Sequence, residues 1–142
     1  MSNITGFHIH RGTLALVHRP TPESLDPQSV IDSLQNQQQI ALLLAQGITN
    51  VDNMGALFRN AAAFGVDAII LDSACCDPLY RKAIRVSMGH ALSIRWAVAE
   101  DWVELLKQIK IQLGVKLVGC ETGNDATPIW DVNPTAKVGL VM

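Results

Sequence analysis

The sequence has few cysteines and no long apolar run, and each absence excludes a class of protein. Only three of its 142 residues are cysteines. This odd number does not build a disulfide framework, and the spacing fits no zinc site. The apolar runs are far shorter than the ~20 residues of a membrane span, and no basic and then apolar leader follows Met1. We therefore expect a cytoplasmic protein without metal or membrane segment.

The common motifs of nucleotide binding and nucleophilic catalysis are also missing. The sequence contains no G-x-G-x-x-G, no G-x-x-x-x-G-K-[ST] and no G-x-S-x-G, so a dinucleotide fold, a P-loop and a hydrolase elbow are not expected. His8 and His10 would share one side of a strand, but no carboxylate or cysteine nearby completes a metal site. A polar strand face explains them better.

The charged residues are unevenly distributed, although the formal net charge is only -2. No acidic residue occurs from Leu79 to Ala99, whereas four basic residues do, namely Arg81, Lys82, Arg85 and Arg95. Two interpretations are open. The segment is either the solvated face of a helix or a patch that binds an anion, most naturally a phosphate backbone.

Apolar runs alternate with amphipathic segments, and this rhythm predicts an α/β fold. Strands are predicted at 13–17, 39–44, 67–71, 94–99, 115–119 and 137–142, and helices at 28–34, 53–64, 79–86 and 101–113. The strands are apolar on both faces, so the sequence indicates a mostly parallel sheet flanked by helices. Residues 1–38 are predicted to be an N-terminal segment and linker, and residues 39–142 the α/β domain.

The segment at 50–65 is the most informative, because polar residues surround a predicted strand-to-helix junction. Asn50, Asn53 and Gly55 at the helix start leave backbone N–H groups open to an anion or a polar ligand. Gly55 and Arg59 share one helix face, so the guanidinium is predicted to lie over a spot without a side chain. Such a spot suits a phosphate or a ribose. The buried stripe is predicted from helical spacing to be Met54, Leu57, Phe58 and Ala61.

From Asn50 to Gly65 the chain follows the pattern N-x-x-N-x-G-x-x-x-R-x-A-x-x-F-G. At every fixed position this resembles the first signature motif of the SpoU family, which are 2′-O-ribose RNA methyltransferases of the knotted SPOUT superfamily. Residues Arg81–Ala91 resemble the family segment in which R-x-S-x-G follows a short helix. Residues His10–Ala15 resemble the connection from the family's RNA-binding domain to its catalytic domain.

The resemblance implies a SPOUT-like α/β-knot core that transfers a methyl group from S-adenosylmethionine to a ribose 2′-hydroxyl of tRNA or rRNA. It also implies a homodimer. Arg59 and Asn53 correspond to residues of the family's reaction centre, and Asn50 and Gly55 are expected to contact the substrate. Further RNA-facing residues are expected on the second matching segment, namely Arg81, Lys82, Arg85, Ser87 and Gly89.

Two later signatures of the family, a G-x-E-x-x-G loop and an S-L-N segment, do not occur in the sequence. In the family they form the knot and hold S-adenosylmethionine. We therefore expect residues 39–142 to be an incomplete SpoU domain and residues 1–38 to include the tail of an RNA-binding domain. No cofactor-binding residue can be assigned, and the isolated chain is expected to be inactive.

Two other interpretations of the chain are open. One is a non-catalytic RNA-binding or assembly module that uses the basic segment. The other is an α/β domain unrelated to RNA, in which Asn50, Asn53 and Gly55 hold the phosphate of a nucleotide at the helix start.

Overall fold

The structure is a computed structural model that describes residues 16–123 and 125–142. The predicted strand at 13–17 falls mainly outside these residues, and Leu16 and Val17, which are described, are exposed and belong to no strand. His8, His10 and the stretch His10–Ala15 also lie outside the described residues. Within the described part, no helix is both long enough and apolar enough to span a membrane.

Five parallel strands form one sheet. In chain order they are β1 (Ile40–Ala45), β2 (Ala68–Asp72), β3 (Arg95–Ala99), β4 (Lys116–Gly119) and β5 (Lys137–Val141). Across the sheet their order is β3-β2-β1-β5-β4, and all four pairings are parallel. The predictions from residue 39 onward are confirmed to within one residue at each strand end.

The four predicted helices are also confirmed, with ends that shift by at most two residues. They are α1 (Pro27–Leu34), α2 (Val51–Ala63), α3 (Arg81–Val86) and α4 (Trp102–Gln108), the last continuing as a π-helix over Ile109–Leu113. The carboxylate of Asp101 caps α4 by accepting a hydrogen bond from the Glu104 N–H at 3.0 Å. Gly114, with a φ of 66°, ends the π-helical turn in the left-handed conformation that favours glycine.

Helices cover both faces of the sheet, as the apolar strands predict. On one face the side chains of Leu42, Leu44 and Ile70 pack with α1 and α4. On the other face Leu43, Ile69 and Leu71 pack with residues of α2 and α3. Successive strand residues therefore alternate between two apolar layers, which is the arrangement of a doubly covered parallel sheet.

The helix α1 is part of the core and not of a linker. Val30, Ile31 and Leu34 are at most 3% exposed and belong to the same apolar cluster as Leu42 and Leu44. The packed unit therefore includes residues 27–34, which precede the predicted domain start at residue 39. The sequence predicts this helix, but not that its apolar face packs into the core, because the surrounding prolines and glutamines are typical of a linker.

The order of the strands determines where a ligand is expected. Successive strands β1, β2 and β3 run outward in one direction, whereas β5 pairs with the other side of β1. In open parallel sheets, ligands bind beyond the carboxyl ends of the strands where the order changes direction. Residues 46–50, which connect β1 to α2, lie at this place.

Candidate functional site

Asn50 caps the start of α2. Its Oδ1 accepts hydrogen bonds from the backbone N–H groups of Asp52 at 2.8 Å and Asn53 at 3.1 Å. The Met54 N–H donates to the Asn50 carbonyl at 3.0 Å. The expectation that the helix start offers open N–H groups is therefore wrong for these three groups. This result argues against the hypothesis that a phosphate binds there.

The connection before α2 is fixed to the connection after β2. The Gly47 N–H donates to the carboxylate of Asp72 at 3.0 Å, and the Ile48 N–H donates to Sγ of Cys75 at 3.3 Å. The Cys75 thiol in turn donates to the Ala45 carbonyl at 3.4 Å. Burial raises the pKa of this thiol to about 11, so Cys75 stays protonated and serves as a hydrogen-bonding group of the scaffold.

The two predicted reaction-centre residues are both on the exposed surface of α2. Asn53 lies in the first turn and Arg59 lies six residues further on, which corresponds to about 9 Å along the helix axis and about 120° around it. Between them, Phe58 is fully buried and its ring meets that of Trp96 edge-on, with ring centroids 6.5 Å apart. This buried anchor fixes the helix so that Arg59 is directed outward.

Gly55 allows α2 and α3 to pack closely. A Cβ atom at this position would lie 2.6 Å from Cβ of Val86 and 2.7 Å from the carbonyl oxygen of Ala83. The prediction of an open spot below Arg59 is therefore wrong, because α3 occupies the space next to Gly55. Since Gly55 is buried, the structure gives it a packing role.

The basic residues of α3 differ in their surroundings. Nζ of Lys82 forms an ion pair with Oδ2 of Asp52 on α2 at 2.7 Å. Arg81 and Arg85 are exposed, and none of the three ion pairs in the described residues includes them or Arg59. The surface formed by α2 and α3 therefore carries three unpaired guanidinium groups.

Ser87, a predicted RNA contact, lies in the turn after α3 and is buried there. Ser87 is 0% exposed, and its hydroxyl donates to the Ile84 carbonyl at 2.8 Å and accepts from the Ala91 N–H at 3.2 Å. The expectation that Ser87 faces RNA is wrong, because its hydroxyl stabilises the turn from inside. Gly89 has a φ of 89° and is partly exposed.

Met88 adopts a backbone conformation that nothing in the local sequence predicts. Its φ is 55°, and no other non-glycine residue among those described has a positive φ. The residue is 76% exposed. Non-glycine residues in this conformation are strained by about 1–3 kcal/mol and often occur at functional sites. Met88 lies two residues after the end of α3, the helix that carries the basic residues.

The family model of the SpoU rRNA methylases matches residues 40–142. The chain belongs to this family. The match includes all five strands, α2 with its motif, and the basic helix α3.

SpoU relatives with curated names share substantial identity with the chain. An uncharacterised tRNA/rRNA methyltransferase of Mycobacterium bovis is 43% identical over 110 residues, which is 78% of this chain and 36% of the relative. The 23S rRNA (guanosine-2′-O-)-methyltransferase RlmB of Acinetobacter baylyi is 31% identical over 142 residues, which is 100% of this chain and 56% of the relative. The chain therefore spans between about a third and just over half of the length of these relatives.

Solved SpoU structures share the fold. AviRb of Streptomyces viridochromogenes, in complex with the cofactor AdoMet, superimposes with a TM-score of 0.68 at 21% identity, over 78% of this chain and 45% of AviRb. A structure described as an RNA 2′-O ribose methyltransferase gives a TM-score of 0.62 at 29% identity, over 74% of this chain and 39% of that one. The predicted SPOUT-type α/β sheet is thereby confirmed.

Two open grooves lie at the amino edge of the sheet, and each includes only one residue from the end of the SpoU motif, Gly65 in the first and Ala62 in the second. One, of about 810 Å³, includes Gln39, Asp67 and Thr135. The other, of about 630 Å³, includes His90 and Arg95. Neither lining contains the predicted reaction-centre residues, and their position opposite the carboxyl ends of the strands makes them poor candidates for the site. Among the described residues, no group of three or more His, Cys, Asp or Glu could hold a metal ion.

Proposed function

We propose that this chain supplies the RNA-facing part of a SpoU-type enzyme that transfers a methyl group to a ribose 2′-hydroxyl of tRNA or rRNA. The single observation that carries the proposal is that α2, with the exposed motif residues Asn53 and Arg59, packs directly against α3, with the exposed Arg81 and Arg85. The similarity to RlmB of Acinetobacter baylyi, a 23S rRNA (guanosine-2′-O-)-methyltransferase, supports the choice of a 2′-hydroxyl.

Arg59 acts electrostatically in this proposal. A neutral hydroxyl is a poor nucleophile, and negative charge would develop on its oxygen while it bonds to the methyl carbon, the sulfur–carbon bond of the donor breaks and the hydroxyl proton passes to water. A guanidinium group stays protonated in proteins, so Arg59 stabilises this charge and does not remove the proton. Asn53, with an amide that can donate and accept, orients the ribose. Arg81 and Arg85 hold neighbouring phosphates, and Lys82 contributes less because Asp52 already neutralises it.

We further propose that residues 39–142 are the methyltransferase unit and that residues 1–38 lead into it, with α1 packed against the sheet. The complete enzyme is proposed to act as a homodimer in the cytoplasm. The three free cysteines of this chain fit a reducing compartment.

S-adenosylmethionine is the methyl donor that the family implies, and it supplies an electrophilic methyl group when bound. Neither of the two grooves described above suits this donor. Both grooves lie at the opposite edge of the sheet, and no buried side-chain nitrogen or oxygen among the described residues lacks a partner. We propose that the donor is held by segments that the longer relatives have in addition. Transfer by the isolated chain to any RNA would contradict this proposal.

A chimera tests the proposed reaction. Residues 40–142 replace the matching segment of the Acinetobacter baylyi RlmB relative, and transfer of tritiated methyl groups to 23S rRNA is measured. We expect transfer by the chimera and a loss of about 10²–10³-fold with Arg59→Ala, the usual cost of removing a group that stabilises an oxyanion. Lys82→Ala is the matched control and should change the rate little.

A chimera that melts cooperatively and binds S-adenosylmethionine, but transfers methyl groups equally well with Arg59→Ala, would exclude Arg59 from the reaction centre. A chimera without cooperative melting is replaced by one that exchanges only the segment 50–65, in which the same Arg59→Ala comparison is repeated.

A further inference from the structure

The helix α3 is built against several local preferences. The N-cap position, which favours Ser, Thr, Asp or Asn, is occupied by Tyr80, and its side chain makes no capping hydrogen bond. Arg81 and Arg85 lie four residues apart on the same face, where like charges repel. The helix has only six residues and ends in a turn with the strained Met88. Such departures from local rules are typical of functional surfaces.

Tyr80 presents an aromatic ring to solvent next to these arginines. The residue is 56% exposed. Its backbone is well fixed, because its N–H donates to the Asp77 carbonyl at 3.1 Å and its carbonyl accepts from the Ile84 N–H at 3.0 Å. The ring thus projects from a rigid backbone position at the start of the basic helix.

The acidic residues nearby are already paired, which leaves the two arginines available for an anion. Asp77 binds Arg19 at 2.9 Å, and Asp52 binds Lys82 at 2.7 Å. Tyr80 directly precedes Arg81, with Arg85 one helical turn further on, and neither arginine takes part in an ion pair of the described residues. An exposed aromatic ring close to such cations is a combination that binds single-stranded nucleic acid, because the ring stacks on a base and the cations bind phosphates.

We propose that Tyr80 is a base-stacking residue and that the substrate segment bound at α3 is single-stranded RNA with an unpaired base. This inference rests on the proposed function. A duplex cannot satisfy the site, because its bases are stacked on each other and their faces are closed to a side chain. Tyr80 binds the base, and Arg81 and Arg85, one helical turn apart, bind the adjoining phosphates.

Binding of the 142-residue chain to short RNA probes tests the inference by fluorescence anisotropy. The probes are a single-stranded oligouridylate, a strand of equal length without bases, and a blunt RNA duplex. We expect Tyr80→Ala to weaken binding of the oligouridylate about tenfold, the size of one base–aromatic stack. Tyr80→Phe should bind like the wild type, and binding of the strand without bases should not change with Tyr80→Ala.

Phe64 provides a matched control, because it is an aromatic residue that is 85% exposed and lies at the C-cap of α2, not on α3. Phe64→Ala should leave binding unchanged. An equal loss with and without bases, or no loss with Tyr80→Ala, would overturn the stacking inference. If binding is nevertheless lost with Arg81→Ala and Arg85→Ala, the proposed function stands. If no probe binds even at low salt, both the inference and the proposed RNA surface are wrong.

Discussion

Individual side chains determine how the SpoU motif is presented. Asn50 and Gly55, which the sequence indicates as possible ligand contacts, are a helix cap and a close-packing position in the structure. Ser87 is buried and internally hydrogen-bonded. Arg59, by contrast, is exposed. The motif therefore combines residues that build the scaffold with at least one that is free to act on a substrate.

Replacement of Gly55 should destabilise the fold. In Gly55→Ala the new methyl group would lie within 2.7 Å of Val86 and of the Ala83 carbonyl, which is backbone and cannot simply rotate away. We expect the free energy of unfolding to fall by about 1–3 kcal/mol, measured by urea denaturation. Gly119→Ala, where nothing lies within 4 Å, is the matched control. Equal stabilities of the two variants would contradict the close packing of α2 and α3.

The Cys75 thiol predicts a pH dependence of stability. Burial raises its pKa from the ordinary 9.0 to about 11, so the unfolded chain releases this proton first as the pH rises. Below about pH 9 the Cys75 thiol should therefore not lower the free energy of unfolding. Between about pH 9 and about pH 11 this free energy should fall, because only the unfolded chain has released the proton. Urea denaturation across this window should give a smaller fall for Cys75→Ala. Identical pH profiles for the two proteins would show that the thiol is not buried as described.

The secondary-structure elements follow from the sequence much better than their arrangement does. The strands are apolar runs and the helices have apolar stripes with recognisable ends, such as Asp101 and Gly114 around α4 and its π-helical end. The place of β5 between β1 and β4 could not be predicted, because strand order depends on which packed arrangement buries most apolar surface. For the same reason the core role of α1 was missed.

The cap of α2 can be tested directly. Asn50→Ala removes the acceptor of the Asp52 and Asn53 N–H groups, and we expect a loss of about 1 kcal/mol in the free energy of unfolding. Asn50→Asp keeps an acceptor at the helix start and should restore most of this stability. A variant Asn50→Ala as stable as the wild type, but with weaker RNA binding, would instead make Asn50 a ligand contact.

The chain as a whole combines a parallel sheet with the surface of α2 and α3 that is proposed to face RNA. Its formal net charge is only -2, so binding of RNA depends on where the cations lie and not on their total number. The sequence shows the basic cluster, but only the structure shows that Lys82 is paired, while Arg81 and Arg85 take part in none of the ion pairs among the described residues.

The salt dependence of RNA binding tests the proposed phosphate contacts of Arg81 and Arg85. For single-stranded RNA, each phosphate contact contributes about 0.7 to the slope of log K against log salt concentration. The double variant Arg81→Ala/Arg85→Ala should therefore reduce the slope by about 1.4, and Lys82→Ala should reduce it by less than one contact. A slope that Lys82→Ala lowers as much as either arginine variant would contradict the assigned roles.

The central claim is that this chain carries the RNA-facing surface of a SpoU methyltransferase without a complete site for the methyl donor. Its melting temperature, measured in parallel titrations with single-stranded RNA and with S-adenosylmethionine, tests this claim most directly. A ligand at about 100 times its dissociation constant adds about 2.7 kcal/mol of stability, which is readily visible for a domain of this size. We predict a saturable rise with RNA and none with S-adenosylmethionine. A saturable rise with S-adenosylmethionine, or no rise with RNA, would contradict the account.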